Sequence, residues 1–341
     1  MLPATGLLQP GAEDATKGQK GPKMATLLFT HEACLGHDPG PMHPERPDRL
    51  RAVLARLDEP EFEALQRREA PLATVDQLAL AHPRDFVEGM LAALPEPVPG
   101  GEERHLAIDT DTIASTGTKE AALRAAGALC AAVDAVMAGE ASNAFCAVRP
   151  PGHHAEARQP MGFCFFNNVA VGAAYARARY GLKRVAIIDF DVHHGNGTQA
   201  IFEAEPAVFF GSTHQFPLYP GTGGRSERGV GNIVNAPLAP GAGSSDFRHA
   251  FSEHILPALS EFSPDFIFIS AGFDGHADDP LASLSLFEPA FQWVTREILR
   301  IAAYVCDGRV VSTLEGGYDL GSLADSAAAH VLALMAAPDV S

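Results

Sequence analysis

The sequence lacks any cysteine spacing that supports chemistry. Its five cysteines, Cys34, Cys130, Cys146, Cys164 and Cys306, are scattered, odd in number and form no Cys-x-x-Cys pair. That excludes a disulfide framework and a thiolate zinc cluster, and it suits a reducing cytoplasm. Positive charge is also scarce: 25 Lys and Arg stand against 42 Asp and Glu, a formal net charge of -17. Such an excess repels nucleic-acid phosphates and anionic membranes, so no nucleic acid and no membrane is expected among the partners. No apolar run is long enough to cross a bilayer. No internal repeat and no linker-like stretch interrupts residues 24–341, which are expected to form one domain. Residues 1–23 are rich in Gly, Pro, Lys and Ala, lack the apolar centre of a signal peptide, and are expected to be a disordered leader.

What is present is ample hydrophobic material, 46% of the chain. It is arranged as short strand-like runs alternating with Ala-rich helical stretches. Met24–Thr30, Ala144–Val148, Val185–Ile188, Ala207–Gly211, Phe266–Ser270 and Val310–Leu314 read as strands. Asn168–Tyr180 reads as a helix closed by Gly181, with a helical turn over Gln199–Glu203 and helices over Phe247–Phe262, Phe287–Val305 and Ser322–Ala336. This alternation predicts an α/β fold with a mainly parallel sheet and helices on both faces. The loops that follow several strands are long and rich in Gly and Pro, as functional loops often are.

The most informative stretch is Val185-Ala186-Ile187-Ile188-Asp189-Phe190-Asp191-Val192-His193-His194-Gly195-Asn196-Gly197. A buried strand ends there in two aspartates and two histidines. In open α/β sheets, chemistry gathers at this carboxyl edge. On extended backbone Asp191 and His193 leave the same face, and a carboxylate and an imidazole there can chelate one ion. A second strand, Phe266–Ser270, runs into Asp274. As a third ligand it leaves a coordination position for water, the arrangement of catalytic metal sites. Ala144–Val148 leads to His153-His154, and Val310–Leu314 leads to Tyr318.

Seven segments in order carry a family resemblance: His43-Pro44-Glu45-Arg46-Pro47-Asp48-Arg49-Leu50, Arg149-Pro150-Pro151-Gly152-His153-His154-Ala155, Gly162-Phe163-Cys164-Phe165-Phe166-Asn167-Asn168, Asp189 through Gly197, Pro220-Gly221-Thr222-Gly223, Ala271-Gly272-Phe273-Asp274 and Glu315-Gly316-Gly317-Tyr318. From Met24 onward the chain resembles the histone deacetylase superfamily, which includes bacterial acetylpolyamine amidohydrolases. The resemblance implies a single-domain arginase/deacetylase-type fold with long catalytic loops at the strand carboxyl ends. It implies zinc on Asp191, His193 and Asp274, with ferrous iron a competitor in so oxygen-rich a site. It implies His154 as main base and acid, His153 as an electrostatic partner, and Tyr318 as hydrogen-bond donor to the oxyanion. Asp189 then pairs with His153, and Asn196 with His154. Relatives resembling the nuclear enzymes often carry Asp at the Asn196 position, so Asn places this chain nearer the class II-like and bacterial branch. A structural potassium ion is implied on Asp189, Asp191, the His193 carbonyl, Ser212 and the Thr213 carbonyl. Gly162, Phe163, Tyr219, Leu281 and Gly316 line the implied substrate tunnel, and Arg49 the cavity through which acetate leaves.

The implied activity is zinc-dependent removal of an acetyl or related short acyl group from an amine. The substrates implied are acetylated lysine in peptides or proteins, or another acetylated amine. Selective acetylpolyamine hydrolysis is the alternative. Polyamine-selective relatives place a glutamate where this chain has Leu281, and leucine does not attract an ammonium group. Asp278 and Asp279 offer charge nearby, although a solvated acidic turn before Pro280 is the plainer expectation. A different class, an acyl-lysine binding protein without turnover, would be favoured by loss of Tyr318 or a metal ligand, and none is lost. An arginase-like pair of manganese ions needs bridging ligands that Asn196 and the glycine-rich turn do not supply. Eight histidines without supporting context, His37, His82, His105, His214, His249, His254, His276 and His330, are expected to be surface or structural. A homo-oligomer is left open.

Overall fold

The computed structural model describes residues 25–97, 100 and 104–337. The leader expected over residues 1–23 lies outside the described residues. In chain order the strands are β1 (Thr26–Thr30), β2 (Gln66–Glu69), β3 (Leu106–Ala107), β4 (Ile113–Ala114), β5 (Asn143–Cys146), β6 (Val185–Asp189), β7 (Val208–Ser212), β8 (Ile233–Asn235), β9 (Phe266–Ala271) and β10 (Val310–Leu314). Eight of them form one sheet in the order β2-β1-β5-β10-β9-β6-β7-β8, and every pairing in it is parallel. β3 and β4 form a separate antiparallel ribbon.

The apolar runs become central strands because both of their faces are covered. Every residue of β5, β6, β9 and β10 is buried. The helices Thr118–Met137 and Asn168–Tyr180 pack together against the sheet. Pro47–Leu57, Glu288–Val305 and Leu320–Met335 form a second packed group. Every residue of β2, sequence Gln-Arg-Arg-Glu, is exposed, and its charges blunt the sheet edge against pairing with another chain.

The helix Asn168–Tyr180 has its expected limits. The Asn167 side chain caps it by accepting from the Ala170 amide, and Gly181 ends it with φ 66°. The single helix expected over Phe247–Phe262 is instead two α segments joined by a π turn: α over Ser244–Ala250, π over Phe251–Ile255 and α over Leu256–Phe262. Pro257 supplies a reason. It has no N–H for an α-type bond, and the wider turn lets the Leu256 N–H reach the Phe251 carbonyl. No expected element covered the long helix Thr118–Met137 or the strands β2 and β8.

Candidate active site

The strands β5, β10, β9 and β6 are neighbours in the middle of the sheet. Their carboxyl ends lead to His153-His154, Glu315 through Tyr318, Asp274, and Asp189 through His193. Residues from distant parts of the chain therefore meet without a hinge between them. The register is even: Asp189 lies opposite Ser270 of β9 and Ser212 of β7, and Leu314 opposite Ala271.

Asp191, His193 and Asp274 are buried, and their donor atoms all lie within 4.8 Å of one another. The oxygens not aimed at the centre are occupied elsewhere. Asp274 Oδ1 accepts from the Val192 amide at 2.9 Å, and Asp191 Oδ2 from the Gly316 amide at 2.8 Å. His193 Nδ1 faces Asp191 Oδ1 at 3.2 Å and Asp274 Oδ2 at 3.0 Å. Ligands at about 2.0 Å in a tetrahedron stand about 3.3 Å apart, so this spacing fits one small divalent ion. The charge balance agrees. Burial first, and then the charge of Asp191, push the Asp274 carboxyl up to about 7. Burial disfavours the His193 cation, yet Asp191 and Asp274 lift it to about 10. The cluster draws positive charge to itself, which a divalent ion would supply in place of the His193 proton.

The tandem histidines sit in opposite electrostatic surroundings. Burial opposes a cation at His153, but Asp189, with Oδ2 at 2.9 Å from Nδ1, and Asp191 raise it to about 10. His154 is held well below the usual histidine range, by burial first and then by His153 and His193. Its tautomer follows from Asn196. The Asn196 amide nitrogen donates to Glu156 Oε1 at 3.0 Å, so its Oδ1, 2.8 Å from His154 Nδ1, accepts. His154 thus carries its proton on Nδ1 and leaves the Nε2 lone pair free.

Gly162, Phe163, Tyr219 and Leu281 line one cavity of about 250 Å³ with His154, His193 and Tyr318. Its apolar walls are the Phe163 ring, 5.9 Å from that of Tyr318, and the Tyr219 ring, 5.2 Å from that of His154. Gly162 has φ 56°, and a Cβ there would overlap the His154 ring. Gly316 does not line the cavity. It lies against the ligand carboxylates, where a Cβ would overlap Asp274 Oδ2 and Asp191 Oδ2. Burial pushes the Tyr318 phenol well above its usual range, so it is a neutral donor. Arg49 is fully buried beneath it, with Cζ 4.8 Å from the Tyr318 ring centre. Its nitrogens reach the carbonyls of Gly317 at 2.5 Å and Glu315 at 2.6 Å, and Glu45 Oε1 at 3.1 Å. A larger groove of about 700 Å³, beside Arg177 and Glu205, contains none of these groups.

Ser212 and Thr213 end β7 next to Asp189, whose carbonyl accepts from the Thr213 amide at 3.1 Å. His214 Nε2 faces the Gly223 carbonyl at 3.0 Å and so donates. Its Nδ1, 2.9 Å from Ser212 Oγ, therefore accepts the serine proton. That leaves the Ser212 oxygen with lone pairs for a hard cation, in keeping with the expected potassium donors. The same region fixes the tunnel wall. Glu227 Oε1 accepts from the Gly223 and Gly224 amides at 2.9 and 2.7 Å, and Glu227 Oε2 from Gln199 at 2.7 Å.

Sequence reasoning missed several contributors. Asp111 lines the cavity. Glu315 Oε2 accepts from the Gly152 and His153 amides at 2.7 and 3.2 Å, which seats the histidine loop. Only the presence of Glu315 in a loop after a strand hinted at this. The Asp278-Asp279 turn corrects an expectation. Asp278 is exposed as expected, but Asp279 is only 6% exposed, because backbone amides satisfy its carboxylate. His37, His82, His214, His276 and His330 are buried, and His105 is exposed.

A parallel sheet whose central strand ends converge on a carboxylate–imidazole cluster, a free imidazole nitrogen and a tyrosine defines an amidohydrolase-type centre. Residues 43–334 match the Histone deacetylase domain, and the chain belongs to that family. It is 41% identical to "Histone deacetylase 14, chloroplastic" of Arabidopsis thaliana, over 91% of this chain and 77% of that one. It is 39% identical to the "Probable deacetylase" of Archaeoglobus fulgidus, over 93% and 88%. It is also 39% identical to the "Histone deacetylase-like amidohydrolase" of Pseudomonas aeruginosa, over 86% and 81%. The crystal structure of the HDA15 HD domain superposes with a TM-score of 0.84 at 36% identity, covering 92% of this chain and 88% of that one.

Proposed function

We propose that the chain is a zinc-dependent deacylase that hydrolyses the amide of acetylated lysine side chains or of related short-acyl amines. The observation that carries this reading is the convergence of His154, His193 and Tyr318 on one narrow, partly apolar cavity. Asp191, His193 and Asp274 would hold the ion, and two carboxylates with one imidazole suit zinc or ferrous iron. When bound, the ion supplies Lewis-acid polarisation of the amide carbonyl and acidifies the attacking water. His154 takes the proton of that water at Nε2, held in the correct tautomer by Asn196, and returns a proton to the leaving amine. His153 remains an imidazolium that offsets Asp189 and Asp191. The Tyr318 hydroxyl donates to the oxyanion as it forms. Phe163 and Tyr219 flank the aliphatic chain of the substrate, and Arg49 contributes positive charge on the acetate side. Ser212, Thr213 and the Asp189–His193 turn would hold a potassium ion. Five buried, free thiols suit a reducing compartment, and we place the protein in the cytoplasm.

Acetate release from acetyl-lysine peptides and from N-acetylpolyamines tests the reading. Peptide turnover is expected, abolished by a chelator and lowered about 10²–10³-fold by Tyr318→Phe. Turnover of polyamines alone would favour the acetylpolyamine reading despite Leu281. Peptide binding without acetate release by metal-loaded protein would overturn the catalytic reading in favour of a binding protein.

A further inference from the structure

The loop after β9 runs Asp274-Gly275-His276-Ala277-Asp278-Asp279-Pro280-Leu281. Its two adjacent aspartates differ in surroundings. The Asp278 side chain is 72% exposed, whereas Asp279 is 6% exposed. A carboxylate so buried is costly unless its oxygens are satisfied. Asp279 Oδ2 accepts from the Tyr318 amide at 2.7 Å, and Oδ1 from the Leu281 amide at 3.0 Å. One carboxylate thus ties the loop after β9 to the loop after β10. These two bonds hold the cavity-lining residues Leu281 and Tyr318, and the Asp319 amide also lies against the carboxylate.

Tyr318 needs such an anchor. It follows two glycines, of which Gly317 has φ 123°, and a Gly-Gly segment has little stiffness of its own. From one side Arg49 holds the carbonyls of Glu315 and Gly317. Those bonds stop short of Tyr318 itself. Its own amide is held by Asp279. On the other oxygen, Pro280 restricts the backbone of Asp279 to extended geometry and lets the chain turn back, so the Leu281 N–H reaches Oδ1.

We propose that Asp279 is the positioning residue for Tyr318, and that through its second oxygen it holds Leu281 in the lining of the same cavity. This rests on the role given to Tyr318 above. Asparagine at position 279 keeps the shape but accepts through one oxygen only. Its NH₂ group then meets an N–H donor, and one of the two amides is released.

The test is a double-mutant cycle on metal-loaded enzyme, with kcat and KM for an acetyl-lysine peptide measured for wild type, Asp279→Asn, Tyr318→Phe and the double variant. Bound metal is measured in each. Asp279→Asn is expected to lower kcat about 10²-fold through misplacement of the hydroxyl, with a smaller change in KM and full metal content. In the Tyr318→Phe background the same substitution should change kcat within about twofold, because no hydroxyl is left to misplace. An equal loss in both backgrounds would make Asp279 merely structural and overturn the inference. Wild-type kcat in Tyr318→Phe would instead overturn the role of Tyr318. Should Asp279→Asn fail to fold, Asp279→Glu, which keeps the charge but displaces both oxygens, enters the same cycle with the same expected and overturning outcomes.

Discussion

Asn196 Oδ1 lies 2.8 Å from His154 Nδ1, while the Asn196 amide nitrogen is fixed on Glu156 at 3.0 Å. The histidine is therefore oriented by an amide that is itself oriented by a carboxylate. Asn196→Leu removes the acceptor and should lower kcat/KM about 10–100-fold, as loss of an orienting partner commonly does. Glu156→Gln leaves an acceptor for the amide nitrogen and should cost much less. Steady-state kinetics of both variants check this, and a larger loss in Glu156→Gln would show that the amide is oriented otherwise.

Gly316→Ala should act on metal affinity. Its Cβ would overlap the two ligand carboxylates, one of which also accepts from the Gly316 amide. We expect at least about tenfold weaker metal binding, measured by competition with a chromophoric chelator. Metal affinity equal to wild type would show that the ligand carboxylates can move aside.

The tunnel wall offers a separate handle. Glu227 holds the Gly223 and Gly224 amides, just beyond Tyr219. Glu227→Ala should loosen this segment and raise KM about five- to tenfold, more than it lowers kcat, since charged hydrogen bonds to backbone are worth about 1.5–3 kcal/mol. An effect confined to kcat would mean that the loop touches the chemistry and not substrate binding.

His330 predicts a pH dependence of stability far from the site. Thr295 Oγ1 donates to the Phe291 carbonyl and so accepts from His330 Nδ1. The other ring nitrogen then accepts from Ser312. Burial lowers this histidine to about 3. The unfolded chain takes up the proton first, near pH 6.5, so the stabilisation is full above that value and is lost as pH falls toward 3. Between pH 7 and 5.5 this one group should cost about 1 kcal/mol. Glutamine mimics the donor–acceptor pair, so urea midpoints of His330→Gln should fall less steeply over that range. Parallel slopes would mean that another group controls acid stability.

Much of this was legible in the sequence where one residue type has one physical use. β-Branched runs ending in Asp or His gave the central strands and the metal cluster. Gly181 marked the end of its helix. Thr118–Met137 was not foreseen because alanine at most positions blurs the apolar stripe, while nearly every face of that helix is buried. β2 was missed because an edge strand made of Gln, Arg and Glu has no apolar alternation. Asp279 and Glu315 escaped for another reason. Their telling partners, the Tyr318 amide and the Gly152 and His153 amides, belong to remote loops, and an amide leaves no trace in residue identity. The Asp278-Asp279 pair looks like one acidic turn in sequence, and only the packing separates its members.

The four adjacent strands that carry the site have a kinetic consequence. β5 and β10 lie far apart in the chain yet pair directly, and β9 and β6 complete the row. While the chain is incomplete or partly folded, Asp274 shares no centre with Asp191 and His193, and a divalent ion finds at most that local two-ligand pair. Capture should therefore be a late event in refolding, reporting closure of the sheet's middle, and the ion should stabilise the finished protein without guiding its assembly.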